Sequence, residues 1–261
     1  MNGVWTYPQA LTRHWLRYIG ALMVLWFQTV ALSFTPPLKS FRFFSQAQRI
    51  GPGSFLIAAL VAFFVGMIIA LQMAYLMVKL SAEIYIPNVI SLSLMRELAP
   101  VLTALIVAGR IGAGITAEIG SMVVTEQVDA LRVFAVNPIK YLVVPRFLGL
   151  AVMLPVLTMF ADIIGVWGGY VICVYKLGIS HSMYWTMVFD SLELKDVLTG
   201  LVKTIFFGMI IAIVGCHQGL SVKGGAEGVG MGTTTSVVRS FILIIVTDCL
   251  FTFVFYFIFK T

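Results

Sequence analysis

The chain has 261 residues, of which 60% are hydrophobic and only 11% charged, and its mean hydropathy is +1.02. Soluble domains carry about 25% charged residues, so this composition excludes a soluble globular domain and indicates a polytopic membrane protein. The formal net charge is +6. No stretch combines clustered basic residues with interleaved aromatic ones, so we expect the charge to mark cytoplasmic loops and not a nucleic-acid site.

Residues 7–34 form the first apolar segment, in which Arg13, His14 and Arg17 alternate with tryptophan and tyrosine. A basic face with aromatic anchors favours an interfacial helix on the cytoplasmic leaflet. The alternative is a span over residues 19–34, but about 16 residues fall short of the roughly 20 that a span needs. The segment has no small-residue cleavage site, so we expect no cleavable signal and predict a bacterial inner membrane.

Five longer apolar segments predict transmembrane helices. They cover residues 54–78, 89–108, 141–175, 197–216 and 237–259. Pro100 lies in the middle of the second and predicts a kink there. In the third, Gly165, Gly168 and Gly169 form a small-residue face for helix packing. We therefore expect an all-α membrane protein with a single domain over residues 1–261.

The stretch between the fourth and fifth spans, residues 217–239, is rich in glycine. It superficially resembles a phosphate-binding loop, but it lacks the Gly-Lys-Ser/Thr ending and a preceding strand. We therefore expect a flexible loop. The chain has no P-loop elsewhere either, so we expect it to bind no ATP itself.

Residues 118–134 predict an amphipathic helix between the second and third spans, because apolar and polar positions alternate and the segment is too polar to cross a membrane. Its polar residues are Glu118, Glu126, Gln127, Asp129 and Arg132. Lysine and arginine are concentrated on the side of the membrane that holds this helix and the N-terminus. The positive-inside rule therefore predicts a cytoplasmic N-terminus and a periplasmic C-terminus.

Charged residues inside the predicted spans include Glu97, Lys203, Asp248 and Asp162. The topology puts the first three between the midplane and the outer surface, where one cation and two acids can pair and lower the cost of burial. Either a salt-bridge lock between helices or a polar site for a charged headgroup accounts for them. For Asp162 we expect a hydrogen bond to a neighbouring helix.

The first span repeats Ile69, Leu76 and Leu80 at helical spacings. These side chains are either ordinary lipid-facing or helix-facing surface, or one wall of an apolar cavity near the outer end of the span; the pattern leaves both open.

Catalytic and metal sites are not expected. The three cysteines are isolated in or beside apolar runs, and the three histidines are scattered, so no metal-ligand spacing occurs. No serine–histidine–aspartate set and no paired acid and base indicate hydrolysis, so we do not expect an enzyme.

Four strings carry a resemblance to a known family. They are Arg96-Glu-Leu-Ala-Pro-Val-Leu, Ala108-Gly-Arg-Ile-Gly-Ala, Ala117-Glu-Ile-Gly-Ser-Met and Thr125-Glu-Gln-Val-Asp-Ala-Leu. Through them the chain, from about Gly51 to its end, resembles the MlaE (YrbE) family of ABC-transporter permeases.

The resemblance implies a homodimer with five spans and an interfacial N-terminal helix. It implies two copies of a cytoplasmic ATPase that hold ATP and magnesium, often a STAS-domain protein, and a periplasmic MCE-domain protein that is usually a hexamer. It further implies transport of phospholipids or other lipids between the inner membrane and the outer envelope.

Residue by residue, the resemblance makes 118–134 the coupling helix that fits a groove on the ATPase. It also places Glu97, Lys203 and Asp248 at positions where family members carry membrane-buried charges. Two alternatives from other classes are a secondary transporter with Glu97, Asp162 and Asp248 as proton carriers, and a membrane scaffold of an envelope complex.

Overall fold

The computed structural model of the chain describes residues 6–35 and 40–258. These residues are almost entirely helical, and no β-strand occurs among them, so the all-α prediction is confirmed. Within the described residues, six helical stretches are long and apolar enough to cross a membrane. The protein is therefore a multi-pass helical membrane protein.

The sixth stretch belongs to the N-terminal helix, α1 (Thr6–Ser33), whose residues Leu16–Ser33 meet the length and composition of a span. Whether α1 lies at the interface or crosses the membrane stays a prediction. Its buried face joins the main core through Leu22 and Leu25. Tyr18 fixes the contact, because its hydroxyl accepts a hydrogen bond from Gln218 Nε2 at 3.2 Å.

The first predicted span lies within α2 (Ser40–Met77), which begins well before residue 54. It packs along α7 (Val144–Tyr175), which holds the third span. A Cβ added at Gly66 would overlap the carbonyl oxygen of Gly165, and one at Gly168 would overlap that of Phe63. The two backbones therefore touch, as the small-residue face of the third span predicts.

The second span is one helical run with two wider turns. It comprises α3 (Ile86–Ser93), a π-helical turn at Leu94–Leu98, α4 (Ala99–Val107), a second π-helical turn at Ala108–Gly112 and α5 (Ala113–Val124). Pro100 lies at the start of α4, directly after the first π turn. The irregularity expected at the proline thus takes the form of a π-helical turn beside it, a feature often found at functional sites.

The amphipathic helix expected over residues 118–134 is interrupted. After α5 ends at Val124, a separate short helix, α6 (Gln127–Val133), begins. The hydroxyl of Thr125 donates a hydrogen bond to the backbone carbonyl of Ser121 at 2.9 Å. Glu126 has a left-handed backbone conformation, with φ of 59°. Both features end a helix, so Glu118 and Asp129 lie on different helices.

The remaining helices are α8 (His181–Ser191), α9 (Leu194–Leu220) and α10 (Gly225–Ile258). The flexible loop expected over residues 217–239 is wrong, because only residues 221–224 separate α9 from α10. Glycine costs a helix about 1 kcal/mol relative to alanine, but the glycines at the start of α10 do not prevent the helix from beginning at Gly225. Gly228 and Gly232 also let α10 pack closely against Lys223 and Val222 of the turn.

Candidate functional site

Lys203 of α9 lies at the centre of a buried ion cluster. Only 1% of the surface of Lys203 is exposed. Nζ donates to Glu97 Oε2 at 2.7 Å and to Thr252 Oγ1 at 2.8 Å, and it lies 3.0 Å from Asp248 Oδ1. The structure therefore brings Glu97, Lys203 and Asp248 together from three separate helical segments.

Two backbone features bring Lys203 to this position. Gly200, one turn before it, packs so closely on the π-helical turn that a Cβ there would overlap the carbonyl oxygen of Met95. Pro100 has no N–H to donate to the carbonyl of Arg96 four residues earlier. That carbonyl instead accepts a hydrogen bond from Lys203 Nζ at 3.3 Å. The proline thus leaves a backbone acceptor open for the buried ammonium.

Thr252 is a member of the cluster that sequence reasoning missed. Its hydroxyl accepts from Lys203 and lies 3.0 Å from Glu97 Oε1, to which it can donate. Asp248 and Thr252 are four residues apart and so share one face of α10. The four-residue spacing from Asp248 could therefore have identified Thr252 as a member of the cluster from the sequence.

Arg96 and Asp196 extend the cluster toward the start of α9. Arg96 Nε donates to Asp196 Oδ1 at 2.8 Å, and Nη2 contacts the same oxygen. The other oxygen of Asp196 accepts from the backbone N–H of Glu193 at 3.0 Å, which completes a capping box. The Glu193–Asp196 spacing indicates this cap, but nothing in the sequence identifies Arg96 as the partner.

A pocket opens beside the cluster. Its lining residues are Arg96, Glu97, Thr199, Lys203, Thr252, Phe255 and Tyr256. Arg96 and Glu97 are both more than a third exposed, whereas Lys203 is enclosed. The pocket therefore presents one cation and one anion at its mouth, with two aromatic side chains next to them.

The three apolar residues predicted for a cavity wall do not line this pocket. Ile69 is buried in a packed cluster with Ile86 and Ile90. Leu76 and Leu80 are 53% and 73% exposed on the described surface. A role for them in a lipid cavity stays a prediction.

Asp162 is buried within α7, and its Oδ1 has no hydrogen-bond partner among the described residues. The hydrogen bond expected to a neighbouring helix is therefore not found at this oxygen. Asp162 is not part of the ion cluster around Lys203.

The residues predicted for ATPase coupling fall into two groups. Glu118 is half-buried and forms ion pairs with Arg49 and Arg146 of the same chain, each at 3.0 Å. The others, Glu126, Gln127, Asp129 and Arg132, are exposed on or beside α6.

Within the exposed group, Arg132 Nη1 donates to Asp129 Oδ1 at 2.8 Å. Next to that pair, Val133 and Phe134 are 84% and 78% exposed. Adjacent exposed apolar side chains beside charges are typical of a protein-binding surface.

The fold and the buried cluster define the class as a multi-pass membrane protein, and comparison with known proteins gives its family. Residues 43–254 match the family described as Permease MlaE. A probable ABC transporter permease protein of Rickettsia typhi is 45% identical over 234 residues, which cover 90% of each chain. One of Synechocystis is 46% identical over 203 residues, 78% of this chain and 77% of its own. One of Pyropia yezoensis, ycf63, is 36% identical over 247 residues, 95% of this chain and 93% of its own.

The chain therefore belongs to the MlaE permease family and is the permease component of an ABC transporter. The resemblance found in its sequence motifs is confirmed. Membership of an ABC transporter implies association with an ATPase partner.

Proposed function

We propose that the chain is the transmembrane subunit of an ATP-driven transporter that moves phospholipids, or related lipids, between the inner membrane and the outer envelope. The observation that carries this proposal is the pocket beside the Lys203 cluster. A charged site inside an apolar bundle suits an amphiphile, because the polar end can meet ions while the acyl chains stay among apolar side chains.

The exposed charges of the pocket suit a phospholipid headgroup. The guanidinium of Arg96 can form paired hydrogen bonds with phosphate oxygens, and the carboxylate of Glu97 can meet an ammonium group. Lys203 Nζ donates a hydrogen bond to Glu97 Oε2 at 2.7 Å and so fixes the position of the carboxylate. The site thus has the two signs of charge that a zwitterionic headgroup needs.

The proposed assembly is a homodimer in the bacterial inner membrane with a cytoplasmic N-terminus and a periplasmic C-terminus. A dimer of ABC ATPases binds its cytoplasmic side and holds ATP and Mg²⁺, with a STAS-domain protein in some assemblies. A periplasmic MCE-domain hexamer receives or delivers the lipid. The exposed α6 surface with Glu126, Gln127, Asp129 and Arg132 is the proposed contact with the ATPase.

A movement of α6 caused by the proposed ATPase contact would be transmitted to the transmembrane helices over a short distance. α6 follows α5 after a two-residue break, and Glu118 of α5 is bound to Arg49 of α2 and Arg146 of α7. A displacement of α6 therefore acts on three helices at once. Movement of this kind would change the pocket around Glu97 through the two π-helical turns of the same helical run.

The test is lipid transfer by the complete complex in proteoliposomes. We expect Glu97→Gln to lower ATP-dependent transfer of a fluorescent phospholipid by about tenfold, the effect of losing one charge-assisted hydrogen bond. Asp190→Asn is the matched control, because Asp190 is exposed and lies outside the pocket. Equal transfer by wild type and Glu97→Gln would contradict the proposal.

Two alternatives make different predictions for the same preparation. A proton-coupled secondary transporter works without an ATPase, so the purified chain alone would move lipid in a pH gradient. A membrane scaffold predicts that neutralising Glu97 and Lys203 together leaves lipid transport intact. Copurification of an ATPase with ATP-dependent transfer favours the transporter over both.

A further inference from the structure

A second group of charged side chains lies where α2, α5 and α7 meet. Oε2 of Glu118 accepts from Arg49 Nη1 at 3.0 Å and lies 3.0 Å from Arg146 Nη2. Arg110 also reaches α2, since its Nη1 would lie 3.4 Å from a Cβ added at Gly53. Two arginines therefore pair with one carboxylate, and a third lies in the same region on α2's side of the first cleft.

This group is remote from the Lys203 cluster. Arg110 follows Glu97 by thirteen residues along one helical run, which corresponds to about 20 Å at helical rise. In the predicted topology, this is the cytoplasmic end of the helices. A ligand here is therefore distinct from one in the pocket beside Glu97.

Two clefts, each of about 220 Å³, flank Glu118. Gln46 and Glu118 line both, Arg110 lines the first, and Arg146 and Tyr141 line the second. Glu118 is the only acid among the described residues that line them. With three arginines present, two positive charges in this group lack a counter-charge within the clefts.

Arg146 supplies independent evidence for a ligand. It is only 5% exposed, and Nη1 donates to the carbonyl of Leu142 at 2.6 Å while Nη2 pairs with Glu118. Its Nε is buried and has no partner among the described residues. An arginine that merely extends toward the membrane surface keeps its guanidinium in water, whereas this one is enclosed beside a cleft.

We propose that the clefts around Glu118 bind the phosphate of an anionic phospholipid headgroup from the cytoplasmic leaflet. Guanidinium groups match phosphate oxygens in geometry and charge, and Arg110 and Arg146 offer them on either side of Glu118. Ile50, Ile111 and Ile115 line the first cleft, and the half-buried Ile111 offers apolar surface to the glycerol part. This lipid is bound and not carried, so the site does not depend on the transport proposal.

The test uses the full-length protein in neutral detergent with equal amounts of phosphatidylglycerol and phosphatidylcholine, and counts bound lipids by native mass spectrometry. We expect wild type to retain phosphatidylglycerol preferentially. Arg110→Gln should weaken that retention by about fivefold, the effect of one basic residue near an anionic headgroup. Arg110 is exposed, so its replacement does not disturb packing.

Three further measurements make the result specific. Arg110→Lys should restore most of the retention, and Lys223→Gln, which removes an exposed charge outside the clefts, should match wild type. Glu97→Gln should also match wild type here while losing lipid transfer, which separates this site from the transport pocket.

Unchanged phosphatidylglycerol retention in Arg110→Gln would overturn the proposal. Inorganic phosphate alone, tested as a competitor, distinguishes the source of the ligand. If phosphate displaces the lipid, and itself binds with the same dependence on Arg110, the site takes a soluble phosphate group and the lipid assignment is wrong.

Discussion

At the scale of single residues, Lys203 decides the charge balance of the pocket beside Glu97. Its ammonium is shared by Glu97, Asp248, Thr252 and the carbonyl of Arg96. Burying such a group is costly, and removing one partner of a buried pair costs more than the pair contributes, because the remaining charges are left uncompensated. Lys203 is therefore needed for folding as well as for the pocket.

Lys203→Met should lower the free energy of unfolding by about 3 kcal/mol, since two carboxylates would remain near each other without a cation. The measurement is thermal unfolding in detergent. Lys176→Met, at an exposed lysine outside the cluster, is the control and should unfold like wild type. Adding Asp248→Asn to Lys203→Met should recover part of the loss; no recovery would show that packing, not charge, is responsible.

The residue scale also shows what the sequence could and could not predict. Charges inside apolar segments predict buried ion pairs because water is absent there, and Glu97, Lys203 and Asp248 were found on that basis. The pair of Arg96 with Asp196 depends on how α9 crosses the π-helical turn, which no local pattern encodes. Glu118 was interpreted as part of an exposed face, but its pairing depends on Arg49 and Arg146, which are distant in sequence.

At the scale of elements, the contact between α2 and α7 is the closest helix packing linked to a sequence motif. Gly66 faces Gly165, and Gly168 faces Phe63, with backbone against backbone. Without a hydrophobic force between helices inside a membrane, packing of this kind supplies much of the stabilisation. The glycine spacing predicted a helix-packing face on the third span but not which helix packs there. The helical course of residues 225–232 was missed because this stretch is rich in glycine, which is a weak helix former.

Gly66→Ala should destabilise the protein by about 2 kcal/mol or more, because the new methyl group overlaps a carbonyl and the two helices have to separate. Gly20→Ala is the matched control: no atom lies within 4 Å of the added Cβ, and a helical glycine-to-alanine change should be neutral or slightly stabilising. Thermal unfolding of the two variants checks this. Equal stability of both would show that α2 and α7 tolerate displacement.

At the scale of the whole molecule, one chain carries both the proposed cargo pocket and the proposed contact for the ATPase. The family shows that it works as the permease of an ABC transporter. The pocket at Glu97 and the exposed α6 surface belong to one stretch, from Ile86 to Val133, with a single break at Thr125 and Glu126. The sequence predicted both ends of this stretch, but not the π-helical turns and the break, because these depend on hydrogen bonds between neighbouring turns.

Charge reversal of Glu126 and Asp129 to lysine should abolish association with the ATPase and, with it, ATP-dependent lipid transfer. The physical reason is that two acidic groups would be lost from the exposed α6 surface and positive charges would be placed beside Arg132. Copurification of the ATPase measures the first effect, and proteoliposome transfer the second. Asp190→Lys, on an exposed residue of α8, is the control; retained ATPase binding in the double variant would contradict the assignment of α6.

The contact between α2 and α7 also limits how a permease of this shape deforms. The backbones of α2 and α7 touch at Gly66 and at Gly168, so rotation or sliding of one helix along the other would cause steric overlap. We therefore expect the two helices to move as one rigid unit. Arg49 of α2 and Arg146 of α7 connect one end of this rigid unit to α5, because both pair with Oε2 of Glu118. We therefore expect cargo to enter where α10 packs against α4 and α9. There Phe255 and Tyr256 of α10 border the pocket.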